Sequence, residues 1–234
     1  MRFCEASGRL DAEFNPFTNE YIGEILEAVA VAWARMRHPK PSEIEDRITF
    51  KLAGRLLNDL YFRDLPYDIV PQHWLLGIDG HRLGRLDLHF KHRQSQRDYF
   101  AFEAKRLHVA YPGGTTSPEY SIYAGDDGMG AFVEGQYSKG LPAAGMLGYV
   151  MDADAKKAWA GLVARIEAKR ADLRLLAKSQ LTESALKNLV ASGLPGTLLG
   201  ETQHTLTSNA LRLFHLLLPV TQSPRKPILN SDSA

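Results

Sequence analysis

Asp87, followed sixteen residues later by Glu103-Ala104-Lys105, is the grouping in this sequence with the most specific chemistry. Residues 84–92 and 98–107 both alternate polar and apolar side chains, so each reads as a strand, and the short polar link between them reads as a hairpin. Side chains two apart on a strand share a face, so Glu103 and Lys105 point the same way. Asp87 sits on the polar parity of the neighbouring strand. Two carboxylates on adjacent strands can converge on one hard cation, with waters completing its octahedron. A lysine beside that ion holds or activates an attacking water, or offsets charge on a phosphorane-like transition state. The bland alternative is a surface hairpin carrying an ion pair, and the three residues alone leave both readings open.

Two further residues bear on the choice. Glu45 lies three before Ile48 and seven before Leu52, on the apolar stripe of a helix expected to open at Ser42. A carboxylate pointing inward must be paired or bound to something. The spacing Ser42 to Glu45 is equally that of a capping box, so Glu45 is either a site residue or a helix-end cap. Gln136 lies seven after Met129 and three after Val133, on the inward stripe of a helix expected over 128–137. It is either a polar group offered to the hairpin or a helix-end amide.

The series Glu45, Asp87, Glu103-Ala104-Lys105 and Gln136 resembles the PD-(D/E)xK nuclease superfamily, over roughly residues 42–151. The residue before Asp87 is Leu86 where that motif has proline. The resemblance implies a restriction-endonuclease-like α/β fold, with a central mixed sheet of about five strands flanked by helices. It implies Mg²⁺ (or Mn²⁺) held by Asp87, Glu103 and the carbonyl of Ala104, with Glu45 either a further ligand or a group that orients Lys105 or a metal-bound water. Lys105 would orient the water or stabilise developing charge, and Gln136 would position the scissile phosphate or a water. The expected activity is metal-dependent cleavage of nucleic-acid phosphodiester bonds, with DNA favoured over RNA, as in a restriction or phage-defence effector. The other functional class is a non-catalytic subunit of the same fold, serving a larger complex as an assembly or nucleic-acid-binding module. A protein partner or homodimer is expected to supply targeting, because the chain has little room for a separate reading domain.

The local charge agrees with a phosphate substrate. Between His81 and His108 stand Arg82, Arg85, Lys91, Arg93, Arg97, Lys105 and Arg106 against Asp87, Asp98 and Glu103, a net of +4. A cationic surface around an acidic metal centre suits a phosphate backbone, so Arg82, Arg85, Lys91, Arg93 and Arg106 are the expected nucleic-acid contacts. The alternative is an ordinary charged solvent face. Residues 107–138 hold no Lys or Arg and four acids, Glu119, Asp126, Asp127 and Glu134, which suits a gate or partner surface. His204 and His215 lie on adjacent expected strands, where they either meet a ligand or are hydrogen-bonded sheet residues.

Those residues need a scaffold. Apolar spacings of three and four predict helices over 19–37 and 42–60, the second with Ile48, Leu52, Leu56 and Leu60 on one stripe. Residues 61–80 look turn-rich because of Leu65-Pro66, Val70-Pro71 and Asp79-Gly80. A long loop over 109–127, a buried strand over 143–151, a helix capped by Asp152 running to about 178, a short helix over 182–192 and strands over 197–206 and 211–220 follow. The order ααββαβααββ predicts one mixed sheet with helices around it. Residues 1–221 are expected to form a single domain, with the core motifs in 42–151, C-terminal helices and strands in 152–220 and a flexible tail over 222–234.

Composition bounds the rest. The 234 residues carry 28 Lys plus Arg, 27 Asp plus Glu, 44% apolar residues and the single cysteine Cys4. That apolar fraction excludes wholesale disorder, and one cysteine excludes an internal disulfide or a structural cysteine zinc cluster. A net charge of +1 gives no global argument for nucleic acid. The N-terminal segment has no apolar core of the kind a secretory leader needs, and the longest apolar stretch, near 211–220, is too short for a membrane span, so a cytoplasmic location is expected.

Overall fold

Four central segments that read as apolar or alternating runs build the sheet, and what surrounds them decides its order. The computed structural model describes residues 19–77, 79–93, 99–137, 141–190, 196–207 and 209–220. Residues 1–18, the tail expected over 222–234, Arg97, Asp98 and most of the hairpin link lie outside the described residues. The chain forms α1 (Asn19–Arg35), α2 (Glu45–Leu57), α3 (Leu60–Asp64), β1 (Tyr67–Leu76), β2 (Arg82–His92) and β3 (Tyr99–Leu107). A small ribbon of β4 (Val109–Ala110) and β5 (Thr116–Ser117) comes next, then α4 (Tyr120–Tyr123), a π turn over Asp126–Gly130 and α5 (Ala131–Val133). β6 (Ala143–Val150), α6 (Ala155–Ala168), β7 (Thr182–Glu183), α7 (Lys187–Val190), β8 (Leu198–Thr205) and β9 (Ala210–Pro219) complete it.

One mixed sheet runs in the order β1-β2-β3-β6-β9-β8-β7. β3, β6 and β9 are parallel neighbours, and the remaining pairings are antiparallel. Strand parity sorts the core into two layers. Phe100, Phe102, Leu147, Tyr149, Phe214 and Leu216 pack with α1 and α2, while Ala144, Met146, Leu213 and Leu217 pack with α5 and α6. All eight residues of β6 are buried, as a central parallel strand covered on both faces requires. Trp33 ties α1 to the sheet: its indole N–H donates to the Pro219 carbonyl at 2.9 Å, and its ring stacks on Tyr149 at 5.1 Å.

Seven strands replace the expected five. The added ones are β1, which lies in the segment expected to be turn-rich, and the two-residue β7. Pro71 sits within β1 because β1 is an edge strand, where a missing N–H leaves no ladder bond unmade. The segment expected as a helix over 182–192 supplies β7 and then one short helical turn. The long helix expected to about residue 178 stops at Ala168, and its cap is Asp154, whose carboxylate accepts from the Lys157 N–H at 3.0 Å. Asp152 is held elsewhere, 2.7 Å from Nδ1 of His108.

The expected capping box does not form. α2 opens after Ile44 with no side-chain cap, and it ends at Leu57. Leu60 therefore leaves the buried stripe and is exposed in α3, whereas Ile48, Leu52 and Leu56 are buried as read. Among the described residues no helix is long and apolar enough to cross a membrane.

Candidate functional site

The sheet opens between β2 and β3, and the opening builds the site. Their ladder runs from Lys91↔Tyr99 to Leu88↔Phe102 and stops there. Leu88 and Phe90 pack in the α1/α2 layer, but Leu86 packs in the other, so the expected alternation over Leu86, Leu88 and Phe90 breaks at Asp87. The neighbouring strand breaks there too, because Gln72 of β1 takes φ +54, a left-handed conformation uncommon for a non-glycine residue. A ladder that stops leaves backbone donors to be satisfied. Asp87 does this: its Oδ2 accepts from the Ala104 N–H at 2.8 Å, and its Oδ1 from the Gln72 amide at 2.7 Å.

Glu103 and Lys105 meet beside it, with Lys105 Nζ 2.6 Å from Glu103 Oε1. Glu45 comes from the first turn of α2: its Oε2 accepts from the Arg106 N–H at 2.9 Å, and its Oε1 lies 3.4 Å from Lys105 Nζ. Of the two readings of Glu45, the cross-sheet one is therefore the one formed. Asp87, Glu103 and Lys105 are 4%, 6% and 8% exposed, so this is a buried charged cluster and not a solvent-facing hairpin pair.

The cluster is short of positive charge. Burial raises the pKa of Asp87 and, with Asp87 beside it, pushes that of Glu103 well above the usual carboxylate range. Burial also raises Glu45. At Lys105 burial opposes the charge, but the carboxylates of Glu103 and Glu45 outweigh it and hold the ammonium above its ordinary pKa. Three carboxylates share one ammonium, and each is held above its ordinary value chiefly by burial, with neighbouring carboxylates adding to it. Two buried oxygens, Oε2 of Glu103 and Oε1 of Gln72, have no hydrogen-bond partner.

A hard cation fits that deficit. It takes oxygen ligands and would supply the missing charge and satisfy the orphaned oxygens. Asp87 and Glu103 are the carboxylates next to those oxygens. Among the described residues, no group of three or more His, Cys, Asp or Glu is arranged to hold a metal ion, so any such ion would lean on backbone, amide and water oxygens as well.

Gln136 does not face the cluster. The expected helix over 128–137 is broken into the π turn and the short α5, the phase shifts, and Gln136 is exposed. Tyr137 comes in instead. Its ring covers Gly84 so closely that a Cβ there would lie 2.3 Å from it, and Glu103 adds to burial in raising its hydroxyl pKa. Gln72 and Tyr137 are the two residues the sequence reading missed. The Val70-Pro71 step before Gln72 carries a turn signal, and Tyr137 falls on the apolar face of the expected helix with Met129, Phe132 and Val133, which marks it as buried but not as part of a site.

The basic residues are not gathered into one surface. Arg82 and Arg93 flank an eleven-residue strand and so stand about 35 Å apart. Arg93 pairs with Asp68 at 3.1 Å. Arg85 pairs with Asp46 at 3.1 Å, and Arg106 donates to the Glu43 carbonyl at 3.1 Å. Arg82 lies 4.3 Å over the ring of Trp74, which is 44% exposed and not a core aromatic. Arg82 and Trp74 stand at one end of β2, while Lys91 sits at the other end with Arg93. The loop after β3 has structure of its own in the β4–β5 ribbon, and Tyr111 donates to Glu119 at 2.9 Å.

His204 and His215 meet through Thr202, whose Oγ1 lies 2.7 Å and 2.9 Å from their Nε2 atoms. Their Nδ1 atoms pair with the Leu173 carbonyl and the Tyr123 hydroxyl. Every ring nitrogen has a protein partner and both residues are wholly buried, so they are sheet residues and not ligands. Burial holds the pKa of His215 down to about 3 and that of His89 to about 4.

These depressed values set an acid limit. Near pH 6.5 the unfolded chain binds a proton at each histidine that the folded chain refuses, so this stability is present above pH 6.5 and falls with the pH. Each contributes a slope of about 1.4 kcal/mol per pH unit. His89 stacks on His73 at 4.4 Å and its Nδ1 is buried without a partner, so His89→Phe keeps the packing and removes the protonation. Urea melts between pH 6.5 and 4 should show a stability loss shallower by about that slope; parallel curves for variant and wild type would refute the assignment.

No family model matches this sequence, no curated protein matches it, and no solved structure matches its fold.

Proposed function

We propose that the chain is a divalent-cation-dependent nuclease of the PD-(D/E)xK type, with DNA the favoured substrate. The single observation that carries this reading is the convergence of Glu45, Asp87, Glu103 and Lys105 where β2 and β3 part, with Glu103 Oε2 buried and unpartnered. The order of a helix, antiparallel strands, a helical segment and a parallel strand over 45–150 supports it.

Asp87 and Glu103 would hold Mg²⁺ or Mn²⁺, with the Ala104 carbonyl beside them, and the ion when bound supplies Lewis acidity toward a phosphate oxygen. Lys105 holds the attacking water or offsets charge developing on the phosphate. Glu45 is a positioning residue: it fixes β3 through the Arg106 N–H and steers the Lys105 ammonium. Gln72 orients the Asp87 carboxylate. Gln136 has no part in this scheme. A role in restriction or phage defence belongs to the same proposal.

A second reading, a non-catalytic module of a larger complex, is favoured by the burial of the cluster and by the way Gln72 and Lys105 already occupy both carboxylates. One experiment separates the two. Wild type and Lys105→Ala are incubated with Mg²⁺ or Mn²⁺ and mixed DNA and RNA, and cation binding is followed by calorimetry. Cleavage by wild type alone supports the nuclease. Cation binding without cleavage supports the module, and neither cleavage nor binding removes the metal-centre reading altogether.

A further inference from the structure

We propose that a cavity of about 560 Å³ between the C-terminal end of α1 and the outer face of α2 is a binding site for a multiply charged phosphate anion. It is separate from the carboxylate cluster and independent of the nuclease reading, because none of its lining residues belongs to that cluster. Six cations line it: Arg35, Arg37, Lys40, Arg47, Lys51 and Arg55. The one lining carboxylate, Glu43, is 6% exposed and is taken up by Lys51 and by Arg47 at 3.4 Å. Six cations against Glu43 leave the lining at +5, and at +4 once the ion pair of Arg35 with Asp59 is discounted.

Cations crowded into a concavity repel one another unless an anion joins them. Surface cations are normally scattered or matched one to one. Here Glu43 is a single buried carboxylate serving two of the six, and its role is to fix the direction of Lys51 and Arg47 along α2. Arg55 adds to the lining a guanidinium whose Nε finds no acceptor within the fold. A multiply charged phosphate would take charge-assisted hydrogen bonds from guanidinium groups on such a wall.

The lining also says what is recognised. Met36 is the apolar residue of the cavity and His38 its ring, so there is no aromatic floor on which a base would stack. Recognition is therefore of charge and not of base identity. The volume lies within the ordinary range for small-ligand pockets and exceeds what one phosphate needs, so a di- or triphosphate fits better than orthophosphate.

Calorimetry on the full chain at physiological salt tests this with inorganic triphosphate, ATP, orthophosphate and a 5′-phosphorylated oligonucleotide. Triphosphate and ATP should bind alike, orthophosphate more weakly, and raised salt should weaken all of them. Arg55→Gln should weaken triphosphate binding about tenfold or more, the loss expected for one charged hydrogen bond. Should Arg55→Gln fold poorly, the exposed double variant Arg37→Ala/Lys40→Ala must show the same loss, while Lys156→Ala on α6 should not. Competition between oligonucleotide and triphosphate assigns the phosphate to a nucleic-acid strand; triphosphate binding without it assigns a free polyphosphate. Absence of triphosphate binding, or cavity variants that bind like wild type, would overturn the proposal.

Discussion

Asp87→Asn is expected to abolish metal-dependent cleavage, lowering turnover by about a thousandfold or more, while the protein becomes no less stable and melts slightly higher. The two halves come from the same geometry. Asp87 accepts hydrogen bonds from the Ala104 N–H and the Gln72 amide. Asparagine keeps one oxygen for Ala104, and its new N–H₂ faces Gln72. Rotating the Gln72 amide by half a turn then offers Oε1, a buried oxygen without a partner in the present arrangement, as the acceptor. The substitution also removes a buried negative charge that helps to raise Glu103 and Glu45. A gain of about 1 kcal/mol is expected in a urea melt, since one pKa unit of like-charge repulsion is worth about 1.4 kcal/mol. What is lost is a charged ligand for a cation, read by calorimetry with Mg²⁺ or Mn²⁺. A variant that is stabilised and still cleaves would remove Asp87 from the chemistry. One that is strongly destabilised would make Asp87 a structural plug for the gap between β2 and β3.

Lys105→Met has the opposite signature. It leaves Glu103, Asp87 and Glu45 facing one another with no cation, and breaking a buried ion pair from one side costs about 3–5 kcal/mol. Met fills the stem's volume, so the loss is electrostatic and not a cavity. Its pH dependence follows from the raised carboxylate pKa values. A carboxyl group raised on folding contributes stability that is full below its unfolded pKa, near 4.5 for Glu103, and is lost as the pH rises through its folded value. The deficit of Lys105→Met should thus be largest near neutrality and shrink toward pH 5, as the carboxylates take up protons. Denaturant melts of variant and wild type at both pH values read it directly. A deficit that does not change with pH would mean that the ammonium contributes packing and not charge. Mg²⁺ added at neutral pH should restore part of the lost stability if the cluster binds the cation, and an unchanged midpoint would count against the metal centre.

Much of this site was legible from short-range pattern. The two-residue spacing of Glu103 and Lys105 fixed their common face, and the spacing from Asp87 put the second carboxylate on the adjoining strand. The inward phase of Glu45 on α2 signalled a carboxylate with a partner, which proved to be Lys105 and the Arg106 N–H. The helical phase does not carry through to Gln136, because the non-helical backbone of Gly128, inside the π turn over Asp126–Gly130, resets the helix. A Cβ at Gly128 would meet the Tyr123 carbonyl at 2.2 Å, a close backbone approach five residues back that hydrophobic periodicity does not register. β1 was hidden by Pro71, which is disqualifying in a central strand and harmless at an edge, and edge position is a property of the whole sheet. The local charge count over 81–108 was right as a number, yet Arg85, Arg93 and Arg106 find partners on α2, β1 and the segment before α2.

The sequence by itself determined which segments form the central strands and, wherever the period runs unbroken, which face a side chain takes, because periods of 2 and 3.6 are set by the local backbone. Only the tertiary structure decided what stands opposite: the parting of β2 from β3 at Asp87, the left-handed Gln72 that follows the break, and the entry of Glu45 and Tyr137. Those outcomes depend on residues many positions apart competing for one buried space, where an unpaired charge or donor costs more than any local preference can recover.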